Sequence, residues 1–207
     1  QAAMSRSMTN TLTEIDADNQ VIPCLAESWD STPDASTWTF KLRKGVEFHN
    51  GKSLTAKDVI ASINYHRGQD SKSSVKPLTD PIENLKADGD HTIVFELKGG
   101  NADFPFSLNT EGFAIYPAAK DGSLDWKPGI ATGAYILKNF EPGVQAFFVR
   151  NPNYWKEGRG HFDEVELHAI LDTPARTTAL ISGAVDVIDQ VDLKSVHLLE
   201  RREGIHV

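Results

Sequence analysis

Trp38, Phe40 and Leu42 alternate with Thr37, Thr39 and Lys41, the period-two pattern of a strand with one face buried and one face wet. Arg43-Lys44-Gly45 interrupts the alternation and Val46 and Phe48 resume it, so the pattern predicts a hairpin with its second strand at 46–48. Asn50-Gly51 is a turn dipeptide. Beyond it, Thr55 with Asp58 three residues later reads as an N-cap close to a capping box, which predicts a helix starting at Ala56. Val59, Ile60 and Ile63 form its apolar stripe, with Tyr65 flanking it, and Arg67-Gly68 supplies a cationic last turn and a glycine stop. One β-β-α unit is therefore expected over 37–68.

Elsewhere the pattern is mixed, and it predicts an α/β (mixed α+β) chain. Met4, Met8, Leu12 and Ile15 recur at helical spacing and predict a first helix that ends before the turn-forming stretch Asp16-Ala17-Asp18-Asn19. Residues 68–81 read as a long loop. Ile93, Phe95 and Leu97 predict a strand after the Asp88-Gly89-Asp90 turn, Phe104 begins a short helix, and Phe113–Tyr116 predicts a strand. Glu141-Pro142-Gly143 joins 135–140 to 145–150 as a hairpin. Val165, Leu167 and Ala169 mark another strand, Thr173-Pro174 opens a helix that Gly183 ends, and Val185–Ile188 predicts a closing strand.

Four segments, in order, resemble the extracytoplasmic solute-binding proteins of the peptide, oligopeptide and nickel class that serve ABC importers. They are residues 21–29 (VIPCLAESW), the 37–68 unit, residues 131–137 (ATGAYIL) with 150–155 (RNPNYW), and residues 179–187 (ALISGAVDV). The chain departs from the family at Ala131, where glycine is usual, and at Ala134, where proline is usual. The resemblance implies a periplasmic-binding-protein-like lobe, residues 1–22 and 129–207, with a small β-rich domain, 23–128, inserted into it. It also implies a part of a longer protein whose third lobe closes over the ligand. The implied function is non-catalytic: capture of a small solute, a peptide foremost, in the periplasm and its delivery to an ABC permease, with no cofactor and no metal. The alternative is a truncated scaffold acting as an interaction or sensory module. By position in the family, Asn10 and Thr11 at the end of the first helix, and Asn109, Thr110, Glu111, Gly112 and Phe113, are the residues that would face the ligand.

Composition narrows the alternatives. A net charge of −8 over 207 residues argues against a nucleic-acid partner, whose phosphates call for a basic face. No run approaches the roughly 20 apolar residues of a membrane-spanning helix. The single cysteine, Cys24, between Pro23 and Leu25, reads as a small buried apolar residue. Catalytic patterns are missing: there is no Gly-x-Ser-x-Gly elbow and no phosphate-cradling glycine loop. His161 and His168 lie seven apart, on opposite faces of an expected strand, and read as surface histidines. Asp186, Asp189 and Asp192 lack the glycine and the twelfth-position glutamate of a calcium loop.

Overall fold

A computed structural model of the chain describes residues 2–124, 126–194 and 196–207. Gln1, Asp125 and Ser195, which fall within the expected spans 1–22, 23–128 and 129–207, lie outside the described residues. The elements run α1 (Ala2–Met8), β1 (Thr13–Ile15), β2 (Val21–Pro23), β3 (Ala26–Ser31), β4 (Thr37–Leu42), α2 (Ala56–Tyr65), α3 (Lys76–Thr79), β5 (Ile82–Ala87), β6 (Thr92–Leu97) and α4 (Phe104–Ser107). A 3₁₀ turn, Glu111–Phe113, follows, then β7 (Tyr135–Glu141), β8 (Gln145–Arg150), β9 (Glu164–His168), α5 (Thr173–Ile181) and α6 (Val196–Leu199). Among the described residues the strands form three antiparallel sheets: β1-β2, β3-β4-β6-β5 and β7-β8-β9. No helix among the described residues is long and apolar enough to cross a membrane.

The expected mixed α/β character is present, and β4, α2, β6, α4 and the β7-β8 hairpin lie where the pattern puts them. Several other expectations need correction. The first helix stops at Met8 rather than just before Asp16, because Thr13–Ile15 pairs with Val21–Pro23 and the intervening turn is closed by Asp16 Oδ1, which accepts from the amides of Asp18 and Gln20. Leu12, assigned by spacing to a helix stripe, reaches the core from this extended stretch and is 1% exposed. β4 pairs with β3 before it, not with 46–48. Val46 and Phe48 are buried in a tight loop that closes on itself through Phe48 N to Lys52 O and Leu54 N to Val46 O, with Gly51 in the left-handed region at φ 78°.

Residues 113–116 are not a strand; Ile115 N donates to Asn10 O at 3.0 Å and no ladder forms. Nor are residues 185–188, where Val187 is exposed and no strand lies alongside. The N-cap of α5 is Asp172, one residue earlier than expected: its carboxylate accepts the Ala175 amide at 2.8 Å, and Thr173 and Pro174 are already helical. The expected loop at 68–81 contains the single helical turn of α3.

The larger core lies under the four-stranded sheet. Phe40 of β4, Phe95 of β6 and Phe104 of α4 meet edge to face, with ring centroids 5.0 Å apart for Phe95 and Phe104 and 5.5 Å for Phe40 and Phe95. Val59 and Ile63 close this core from α2, and both are fully buried. The smaller core is Met8, Ala146 and Phe148, with Met4, Tyr135, Leu137, Val165 and Leu167 around them, so the last turn of α1 rests on the β7-β8-β9 sheet.

At the start of α2 a buried carboxylate ties three segments together. Asp58 is fully buried; its Oδ2 accepts the backbone N–H and the hydroxyl of Thr55, both at 2.9 Å, while its Oδ1 accepts the Ala118 amide at 2.7 Å and the Lys52 ammonium. Lys52 also donates to Ala118 O at 2.9 Å. Every lone pair that burial removes from water is replaced by a protein donor. Asp58→Ala is expected to cost on the order of 3 kcal/mol, because it removes at once the acceptor of the Thr55 and Ala118 amides and of the Thr55 hydroxyl. Denaturant unfolding measures it, and a loss below about 1 kcal/mol would show the anchor to be dispensable.

Candidate functional site

Asn10 lies two residues beyond α1, and its side chain turns inward, leaving the residue 9% exposed. Its Oδ1 accepts the Thr132 hydroxyl at 3.1 Å and the Trp155 indole N–H at 3.3 Å, and its Nδ2 donates to the Tyr154 hydroxyl at 3.3 Å. The carboxamide is thus held by three side chains more than 120 residues away. Beside it, Gly133 N donates to Met8 O at 2.9 Å, and a Cβ at position 133 would stand 2.3 Å from the Met8 carbonyl carbon, so only glycine fits. Gly133 O accepts Asn151 Nδ2 at 3.1 Å and His49 Nε2 at 3.0 Å. Segments 8–10, 49, 131–133 and 151–155 converge here.

The remaining expected residues gather one step away. Thr11 Oγ1 donates to Thr13 O at 2.7 Å and its carbonyl accepts the Leu25 amide, so it serves the entry to β1 and is half-buried. Asn109 and Thr110 close the turn after α4 through bonds to Phe106 O and Ser107 O, and both are half-exposed. Glu111 pairs with Arg6 of α1, Nε to Oε1 2.7 Å, with the Arg6 side chain 77% exposed. Gly112 is crowded by a side chain: a Cβ there would meet Val75 Cγ1 at 2.4 Å. Phe113 is 1% exposed, part of the large core, with its ring 5.8 Å from that of His66. The structure therefore brings the two expected segments together, through Arg6–Glu111 and through Ile115 N to Asn10 O, and turns the side chains of Asn10 and Phe113 inward.

Nearby lies a second polar group. Lys156 pairs with Glu14, whose other oxygen accepts from the buried Cys24 thiol at 3.1 Å. Burial, reinforced by the Glu14 charge, pushes the Cys24 thiol well above its ordinary range, so it is held as the unreactive thiol. Burial likewise pushes the Tyr154 phenol up to about 12, against the opposing hydrogen bond from Asn10. Trp155 is flanked by Arg43 and Lys156, 5.3 and 5.9 Å from its ring. Among the described residues no three His, Cys, Asp or Glu side chains stand close enough to share a metal ion. An apolar groove of about 420 Å³, between Val144, Ala169, Ile170, Ala179, Ala184 and Val185, lies on the side of β9 and α5 and is lined by none of these groups.

The model of the middle region of the bacterial extracellular solute-binding proteins, family 5, matches residues 20–207. The chain belongs to that family. Among this family-5 protein's relatives, the di/tripeptide-binding protein 2 of Pseudomonas aeruginosa is 32% identical over 186 residues, covering 77% of this chain and 35% of that one. The AgaA binding protein of A. tumefaciens, solved with agropinic acid, superposes with a TM-score of 0.89 at 26% identity, over 96% of this chain and 41% of that one. The AppA oligopeptide-binding protein of Bacillus subtilis, solved with a nonapeptide, gives 0.85 at 25% identity, over 99% and 42%. The family-5 chain spans less than half the length of the curated relatives it matches.

Sequence reasoning named Asn10 and Glu111 but missed their partners Arg6, Thr132, Tyr154 and Trp155. Three of these four stand inside the segments that carried the family resemblance, and that was the available signal; Arg6 left none. Asn10→Ala in this family-5 chain strands the Thr132 hydroxyl and the Trp155 N–H, and it is expected to cost on the order of 2 kcal/mol with a change in tryptophan emission. Equilibrium unfolding followed by fluorescence measures both, and a variant as stable as the parent would remove the network from its central role.

Proposed function

We propose that the chain is the part of an ABC importer's solute receptor that presents one wall of the ligand cleft. It binds without catalysing, works outside the cytoplasm in the periplasm, and serves to hand its solute to a membrane permease. Residues 1–22 and 129–207 form the first lobe and 23–128 the smaller inserted domain. The solute is peptide-like, since relatives of this fold include one solved with a nonapeptide and a named di/tripeptide-binding protein. The observation that carries the reading is the agreement of nearly the whole chain with the fold of a binding protein holding its solute, at a TM-score of 0.89.

Within that wall we assign the ligand-facing surface to the place where α1 and the Glu111–Phe113 turn meet. Asn109, Thr110 and Glu111 offer half-exposed polar groups there, Arg6 adds a solvent-facing guanidinium, and Thr11 borders them. Asn10, Gly112 and Phe113 act from beneath: Asn10 fixes the end of α1, Phe113 anchors the turn in the core, and Gly112 lets the turn lie against Val75. A second reading, an interaction module, draws on the apolar residues Leu171, Val187 and Leu193, which are 82–94% exposed.

A single wall makes few of the contacts that a closed cleft provides, so the 207-residue chain alone is expected to bind too weakly for calorimetry. Di- to pentapeptides at roughly millimolar concentration should still shift the amide signals of Thr11, Asn109, Thr110 and Glu111 in NMR spectra. Shifts confined to residues 170–200 would favour the interaction module, and a micromolar isotherm from the chain alone would overturn the single-wall picture.

A further inference from the structure

His49 joins the turn at Asn50-Gly51 to the segment 129–133 and commits its amide and both ring nitrogens to the task. Its backbone N–H donates to Ala131 O at 2.8 Å, its Nδ1 receives the Ala131 amide at 3.3 Å, and its Nε2 stands 3.0 Å from Gly133 O. A carbonyl oxygen only accepts and an amide N–H only donates. The neutral Nε2–H tautomer is therefore the one state that satisfies both contacts. A proton added at Nδ1 would set one N–H against another. The Gly129 carbonyl also lies within reach of the ring, and the charged group that faces it is Lys138 of β7.

We propose that His49 is a positioning residue that works as a proton-operated joint between the loop at 46–52 and the segment 129–133. When neutral, it fastens Ala131 and Gly133. When protonated, Nδ1 releases the Ala131 amide and turns to the Gly129 carbonyl, which re-seats the segment that also carries Met8 and Asn151 through Gly133. Hence the joint couples the two hydrophobic cores, because Val46 and Phe48 belong to the larger one and Met8 to the smaller. His49 holds these segments together whether or not a solute binds near Glu111.

The direction of titration agrees with this geometry. Burial disfavours the imidazolium and Lys138 acts the same way, while the Gly133 and Gly129 carbonyls oppose them, and the balance holds His49 below its ordinary value. A lowered folded-state value means that the unfolded chain binds the proton more readily. The contribution of the joint is complete above the ordinary value near 6.5 and is lost as pH falls into the window beneath it.

The test combines nitrogen-15 NMR of the histidine rings with amide hydrogen exchange on the whole chain, from about pH 7.5 to about pH 5. The expected result is the Nε2–H tautomer at the upper end, and an Ala131 amide whose protection, referred to its intrinsic rate, falls about fivefold on acidification. In His49→Gln, whose amide can donate to Gly133 and accept from Ala131 without titrating, that protection should stay level. An Nδ1–H tautomer, a ring titrating at or above the ordinary value, an Ala131 protection that does not fall, or an equal fall in the variant would each overturn the proposal. If the variant does not fold, the parent's ring titration and Ala131 protection decide between these outcomes alone.

Discussion

The backbone of Gly133 lies against that of Met8 with no room for a side chain between them, and the junction between α1 and residues 131–155 depends on that approach. It puts the end of α1 beside 131–133, within reach of Thr132 and Trp155, so that Asn10 can satisfy both from a position removed from water. It also leaves the Gly133 carbonyl free to accept from His49 on one side and Asn151 on the other. A buried polar network of this kind adds little net stability per bond, but each member left unpaired is costly. Misplacing any one segment therefore penalises the others.

The residues that label the family are, in this structure, largely the residues that brace the fold. Thr55 and Asp58 secure α2 to Ala118, the 131–133 stretch receives α1, and Tyr154 with Trp155 closes over Asn10. The Arg6–Glu111 pair and the half-exposed Thr110 belong to less distinctive stretches of sequence. The family's named relatives include heme-, nickel- and di/tripeptide-binding proteins.

Strong local patterns were legible in the sequence, and long-range ones were not. The alternation in β4 and β6 and the acid three residues after Thr55 could be read directly, because burial of one face and capping are local effects. Met4, Met8, Leu12 and Ile15 misled, since a three-to-four spacing fits a helix while pairing with Val21–Pro23 pulls the second half into a strand. Similarly, β3 and β5 escaped notice because their exposed faces dilute the alternation, and Val46 and Phe48 mimic a strand while being buried in a loop. Asn10 is expected to face a ligand from its position in the family. That its side chain points away from solvent depends on Thr132 and Trp155, and nothing within ten residues of it announces them.

The same separation along the chain carries a consequence for how the molecule comes into being. Met8 meets Gly133 across 125 residues and Asn10 meets Trp155 across 145, so the entropy of closing very large loops must be met before either contact is rewarded. The sheet β3-β4-β6-β5 and the aromatic core beneath it draw on contacts within a much shorter span and can form first. Helix α1 is then among the last elements to settle, because the sheet it packs against is built from residues 135–168.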